Sequence, residues 1–210
     1  MLRYLLKIPR STYLFISILL FIFINPLLVE SKYHSFANIF NYSIIFFSTN
    51  FAIKNRTIFI KSLLYIGVFL QVFLLFASNI TFIIISFIFS GVVFTIVTTL
   101  LILQIARTKE ISLEIIMEAV SGYLLIGIVA TILNSILLVF NPDAISFNTS
   151  QDIGDTIYYS FITLTTIGYG EIIPISPMAR NISLITGISG QLYLTIIIAV
   201  IVGKVSSSIK

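Results

Sequence analysis

Apolar runs long enough to cross a bilayer recur along almost the whole chain, and that pattern rules out most folds. A hydrocarbon core of roughly 30 Å is crossed by about 20 helical residues. Runs of that order occupy 11–29, 58–77, 81–104, 120–140 and 177–203. A sixth, 36–53, is interrupted by Asn38, Asn41, Ser43, Ser48, Thr49 and Asn50. Asn79 marks a tight turn between two of the runs. With 58% hydrophobic and 10% charged residues in 210, the chain lacks the charged surface of a soluble domain of that length. The expectation is an all-α integral membrane protein with six transmembrane helices.

The basic residues orient those spans. Arg3, Lys7 and Arg10 precede 11–29, which is longer than a signal core and lacks a small-residue cleavage site, so a retained first span is expected. With six spans both ends share one side, and every Lys and Arg falls there except Lys32 and Arg180. Basic loops stay in the cytoplasm, so both termini are expected there. Without 36–53 as a span, Lys54, Arg56 and Lys61 would lie outside. Its polar residues either face neighbouring helices or line a polar path, and the first reading is the simpler.

Several functions lose support at once. There is no cysteine, and His34 is the single histidine, expected in an outer loop. No nucleophile–base pair or metal-ligand cluster can be assembled, so neither an enzyme nor a cofactor is expected. The net charge of +4 concerns membrane topology and gives no sign of a nucleic-acid partner.

The segment 141–176 must leave and re-enter on the outer side. Within it, 156–165 is apolar and aromatic but too short to cross, which fits a re-entrant helix. Asp152 and Asp155 at its start favour the positive end of a helix dipole. Then comes Thr165-Thr166-Ile167-Gly168-Tyr169-Gly170-Glu171. Carbonyls that converge on one axis require alternating backbone twist with positive φ, which glycine supplies most readily; Gly168 and Gly170 answer to that need. In such a loop the carbonyls from Thr166 to Tyr169 replace an ion's water shell, and the Thr166 hydroxyl adds an inner oxygen. Ile167 and Tyr169 point away, Tyr169 against the short helix, with Tyr158 and Tyr159 as aromatic neighbours.

Here the sequence resembles the potassium-channel family. Tyr158 to Glu171 is similar to its pore helix and selectivity filter, while Pro174 and Gly190-Gln191-Leu192-Tyr193-Leu194 resemble the outer mouth and inner helix of prokaryotic members. The resemblance covers about 120–204 and implies K+ as permeant ion, held at Thr166, Ile167, Gly168 and Tyr169. It also implies a homotetramer, each chain meeting three identical subunits around the pore. Glu171 stands where aspartate is usual, Ile167 where valine is commoner, and Ile162 where some relatives carry a glutamate that pairs with the outer acid. The implied organisation is a four-helix unit over 1–106, an interfacial linker helix over 107–119, and a pore domain over 120–206. Within the pore domain the outer helix is 120–140, the pore helix 153–165, the filter 166–170 and the inner helix 177–204.

Gly190 lies at the spacing where related channels place an inner-helix hinge; close helix packing is the equal alternative. Helical spacing puts Gln191, Leu194 or Thr195, Ile198 and Val202 on one face, with Ile198 and Val202 as candidates for an apolar inner gate. Six spans ending in a pore is the voltage-gated layout, but 81–106 holds no Lys or Arg, which argues against strong voltage gating. The seven residues after Gly203 are too few for a ligand-binding domain. Glu110, Glu114 and Glu118 recur every four residues. They read as a solvated face near Arg107 and Lys109, as a coupling helix, or as a pH-sensitive ring. The rivals to a potassium channel are a nonselective cation channel and a regulatory or silent subunit of a channel or uptake system.

Overall fold

Backbone groups in a bilayer find no water to bond, so each apolar run satisfies its own N–H and C=O groups as a helix. The computed structural model describes residues 9–28, 34–54, 57–76, 79–108, 111–147 and 152–208. Among them are seven α-helices: α1 Ser11–Ile24, α2 His34–Ala52, α3 Ile58–Phe73, α4 Ile80–Arg107, α5 Leu113–Phe140, α6 Ile153–Leu164 and α7 Pro177–Ser208. Two short strands, β1 Ile145–Ser146 and β2 Ile173–Pro174, pair antiparallel with Ile145 opposite Pro174.

The six expected spans are not equal. α4, α5 and α7 are long and apolar enough to cross a membrane. α1 and α3 are apolar but have only 14 and 16 residues, about 21 and 24 Å at roughly 1.5 Å per residue. α2 has 19 residues, and its asparagines and hydroxyls make it less apolar. The run 11–29 leaves the α-helix at Asn25, because Pro26 has no N–H to donate and begins a 3-10 turn over Pro26–Leu28. The run 58–77 ends its α-helix at Phe73 and continues through tight turns, with Leu75 N–H on Val72 O (3.1 Å) and Phe76 N–H on Phe73 O (3.0 Å). Asn79 does form the next boundary: its Oδ1 accepts the Thr81 N–H (3.0 Å) and caps α4.

The stretch 107–119 is not one separate helix. Arg107 closes α4, and Leu113 opens α5, which runs unbroken through 120–140. Lys109 and Glu110 lie outside the described residues.

The helices pack in chain order, α1 on α2, α2 on α3, α3 on α4 and α4 on α5. α1 returns to lie against α5 as well, and α5 carries both α6 and α7. Leu14, Phe21, Phe46, Leu64, Phe94 and Leu125 contribute to one buried core shared by α1–α5. Lipid already surrounds such helices, so close packing and hydrogen bonds decide which faces meet. Asn41, Ser48, Thr49 and Asn50 of α2 are buried, and Asn38 Oδ1 accepts from the Asn25 amide. Gln71 Nε2 of α3 donates to Ser86 Oγ (3.0 Å) and Ser90 Oγ (3.1 Å) of α4. The polar residues of α2 and α3 thus face neighbouring helices.

Candidate functional site

The site begins with a capped short helix. Asp152 Oδ1 accepts the Asp155 N–H (2.9 Å) at the start of α6, meeting one of the donors that a helix N-terminus leaves over. α6 then runs to Leu164, one residue short of the expected end, and Thr165 closes it in the αR region. Its burial is two-sided. Ser160 is fully buried and receives the Asn134 Nδ2 of α5 (3.0 Å). Tyr159, also buried, shares a hydrogen bond of 2.5 Å with Ser183 Oγ of α7. The C-terminal carbonyl of Leu164 accepts the Tyr123 hydroxyl of α5 (3.3 Å). A Cβ added to Gly190 of α7 would collide with that same carbonyl oxygen. The position of α6 is therefore fixed from α5 and α7 together, and Gly190 lies at a close packing contact.

Beyond Thr165 the backbone alternates in hand. φ is +60° at Thr166, +50° at Gly168 and +92° at Gly170, while Ile167 and Tyr169 keep negative values. Gly168 and Gly170 meet the expectation. Thr166 exceeds it: it is the one non-glycine with positive φ among the described residues, and a β-branched side chain there is strained by about 1–3 kcal/mol. The hydrogen bonds explain what holds it. Thr166 N–H reaches Thr163 O (3.1 Å), and Ile167 and Gly168 N–H both reach Ile162 O (2.9 and 3.2 Å). Thr165 Oγ1 donates back to Phe161 O (2.7 Å). Every donor of the inner half of the loop is thereby turned toward α6.

The acceptors are treated oppositely. Among the described residues, no hydrogen bond is accepted by the carbonyls of Thr166, Ile167, Gly168 or Tyr169, and the Thr166 hydroxyl makes none. In the single protomer residues 165–170 are all exposed. The loop is a row of unsatisfied oxygens beside the C-terminal, negative end of α6, which suits a desolvated cation. Its outer end is anchored too, since Ile175 and Ser176 N–H both bond Ala144 O (2.9 and 3.0 Å). Ser176 Oγ accepts the Ala179 N–H (3.1 Å) to cap α7, as a Ser-Pro start suggests.

Side chains around the loop divide. Ile167 turns away into an apolar groove of about 470 Å³ that Phe23 of α1, Pro26 of the turn after it, Leu124 of α5 and Phe161 of α6 also line. Tyr169 is 73% exposed, and within one protomer no ring contact joins it to Tyr158 or Tyr159. Tyr159 gives its hydroxyl to α7 instead, and the Tyr158 hydroxyl faces the Glu171 carboxylate. Ile198 and Val202 are exposed on α7, at 57% and 59%, while Tyr193 and Ile197 on another face are buried against α4 and α5.

The glutamate ladder has a different partner from the one its spacing suggests. Lys54, in the turn after α2, pairs with Glu114 (3.2 Å) and with Glu118 (3.6 Å), and Glu118 is wholly buried. Lys54 N–H also donates to Gln104 Oε1 (3.0 Å). Nothing in the local spacing signals that contact, whereas Asn134 in mid-span was a readable sign of a buried partner.

Residues 121–207 match the family model described as ion channel. No curated protein and no solved structure matches the chain. The matched segment starts at the ninth residue of α5 and takes in α6, the alternating loop and almost all of α7. Over that segment the chain is similar to ion-channel pore domains, and three of its helices are long and apolar enough to cross a membrane.

Proposed function

We propose that the pore domain conducts potassium selectively and passively, with residues 166–170 of four identical chains forming the filter. The observation that carries this reading is the division of labour in the loop. Positive φ at Thr166, Gly168 and Gly170 alternates with negative φ at Ile167 and Tyr169, and the inner donors are used by α6. The carbonyls left over can replace a potassium ion's water shell if four loops meet on an axis. Thr165, Glu171, Tyr158 and Tyr159 support the loop: Thr165 through Phe161 O, Tyr158 and Glu171 through each other, and Tyr159 through Ser183 of α7. Ile198 and Val202 lie on the cavity face of α7 as an apolar gate. Gly190 serves packing in this reading, because its close approach to the Leu164 carbonyl leaves no room for a side chain.

The chain crosses the membrane six times with both ends cytoplasmic, α1–α3 thickened by the turns that follow α1 and α3. Arg10, Lys54, Arg107 and Lys204 gather at one end of the bundle through the contacts of Ser11, Gln104 and Ile105, which supports that orientation. α4 carries its only basic residue, Arg107, in its last turn, so strong voltage gating is not expected.

Purified protein in liposomes tests the proposal. Under equal imposed gradients, potassium flux should exceed sodium flux by at least about a hundredfold. Equal fluxes would make the channel a nonselective cation channel, and no flux of either ion would mark a subunit that conducts only beside another protein.

A further inference from the structure

The inner helix ends on a contact that its own sequence does not require. Tyr193, Ile197, Val200 and Ile201 pack against Ile102 and Ile105 of α4 and against Ile115 and Ala119 of α5. Lys204 extends that stripe by one more turn. Its ammonium donates to the carbonyls of Ile105, Ala106 (3.0 Å) and Thr108. Ile105 and Ala106 hold final carbonyls of α4, and Thr108 is its C-cap; such carbonyls lack intrahelical donors and lie at the negative end of the helix dipole. Lys204 is only partly exposed, and its ammonium meets three acceptors at that helix end. A second tie lies at the same end of the bundle. Lys54 bridges to Glu114 and Glu118 on α5, while Ser11 Oγ donates to Glu114 O (3.1 Å). Tyr193 OH adds a bond from α7 to Ala119 O of α5 (2.7 Å).

These contacts give the first four helices a mechanical path to the pore. α7 carries Ile198 and Val202 on its exposed face and the α4 contact on another, within two turns of the same helix. A displacement of the α4 end must either carry the α7 end with it or break the Lys204 bonds.

We propose that Lys204 is a latch that ties the gate end of α7 to the C-terminus of α4, so that the four-helix unit sets how long the pore stays open. The charge-assisted bonds stabilise whichever gate state keeps α7 against α4. The inference rests on the channel reading, and specifically on the exposed face of α7 facing the ion path.

The test compares single-channel currents of the whole reconstituted protein with those of Lys204→Met and Lys204→Arg. Methionine keeps an apolar stem and loses every donor, so open probability should change by about tenfold or more. Arginine keeps charge and donors and should stay near the parent value. Unitary conductance and the potassium-to-sodium ratio should not move, because the filter lies at the opposite end of α7. An unchanged open probability in Lys204→Met, or equal changes in both variants, would overturn the latch. The chain has no cysteine, so spin labels placed at Leu103→Cys and Ser206→Cys give a second reading independent of current. The Lys204→Met background should broaden their distance distribution, and an unaltered distribution would also overturn the proposal. If the parent protein carries no current, the channel reading fails, while the label distances still decide the contact. Should Lys204→Met not assemble, Lys204→Gln is measured in the same two ways, with a smaller change in the same direction expected.

Discussion

The first four helices and the last three are built from the same apolar residues, yet they use their buried polar groups differently. In α1–α4 those groups join helix to helix: Asn25 to Asn38, and Gln71 to Ser86 and Ser90. In α5–α7 three such groups converge on one short element. Asn134, Tyr123 and Ser183 each bond α6, which in turn holds the loop at 166–168. A polar group buried at membrane depth costs free energy unless it is paired. The front unit meets that demand with contacts that fix packing, and the pore unit meets it with contacts that fix the geometry of a strained loop. The difference separates two roles that composition alone cannot separate.

Substitutions in the two regions should therefore differ in kind. The largest effect is expected for Gly168→Ala. No atom lies within 4 Å of the added Cβ in the protomer, so the cost comes from φ of +50°. At about 1–2 kcal/mol per copy, four copies around one pore reach roughly 4–8 kcal/mol. Potassium flux in liposomes should fall a hundredfold or more while the assembled size on gel filtration is unchanged; near-parental flux would remove the filter reading.

Gly190→Ala comes next and separates packing from hinge. The collision with the Leu164 carbonyl should cost about 1–3 kcal/mol per protomer and lower the melting temperature. A hinge without that contact would instead gain up to about 1 kcal/mol from better helix propensity, and the melting temperature would rise. The smallest effect is expected for Gln71→Leu in the front unit. Ser86 and Ser90 can turn to their own helix carbonyls, so the loss should be roughly 0.5–1 kcal/mol. Its potassium-to-sodium flux ratio should equal the parent's. A shifted ratio would mean that the front unit acts on the filter, and the contrast drawn above would collapse.

What could be read from the chain follows the range of the interactions. The loop 166–170, its capped helix and the Ser-Pro start of α7 depend on residues within a few positions of one another, so their chemistry is visible as spacing. The early end of α1 is visible too, once Pro26 is given its weight against the apolar run around it. Lys54 with Glu118 and Lys204 with the end of α4 join residues far apart in sequence, where periodicity carries no information. The glutamate ladder looked like a surface feature for that reason: its spacing describes one helix, and its partner comes from another. Thr166 fails in the opposite way. Local preference opposes a left-handed β-branched residue, and only the bonds from the loop to Thr163 and Ile162 override it.

The alternation of hand from Thr166 to Gly170 also limits how this loop can change over evolutionary time. Substitutions away from Gly168 and Gly170 leave the order of left- and right-handed residues intact, and each can be accommodated where it falls. An insertion or deletion of a single residue exchanges the two hands for everything beyond it. Tyr169 would then occupy a left-handed place and a glycine a right-handed one, and each oxygen past the change would turn from the axis to the wall. The outer attachment at Ala144 would hold the displaced chain at a fixed length, so the error could not relax outward. A segment of this type can drift in composition between its glycines but not in length.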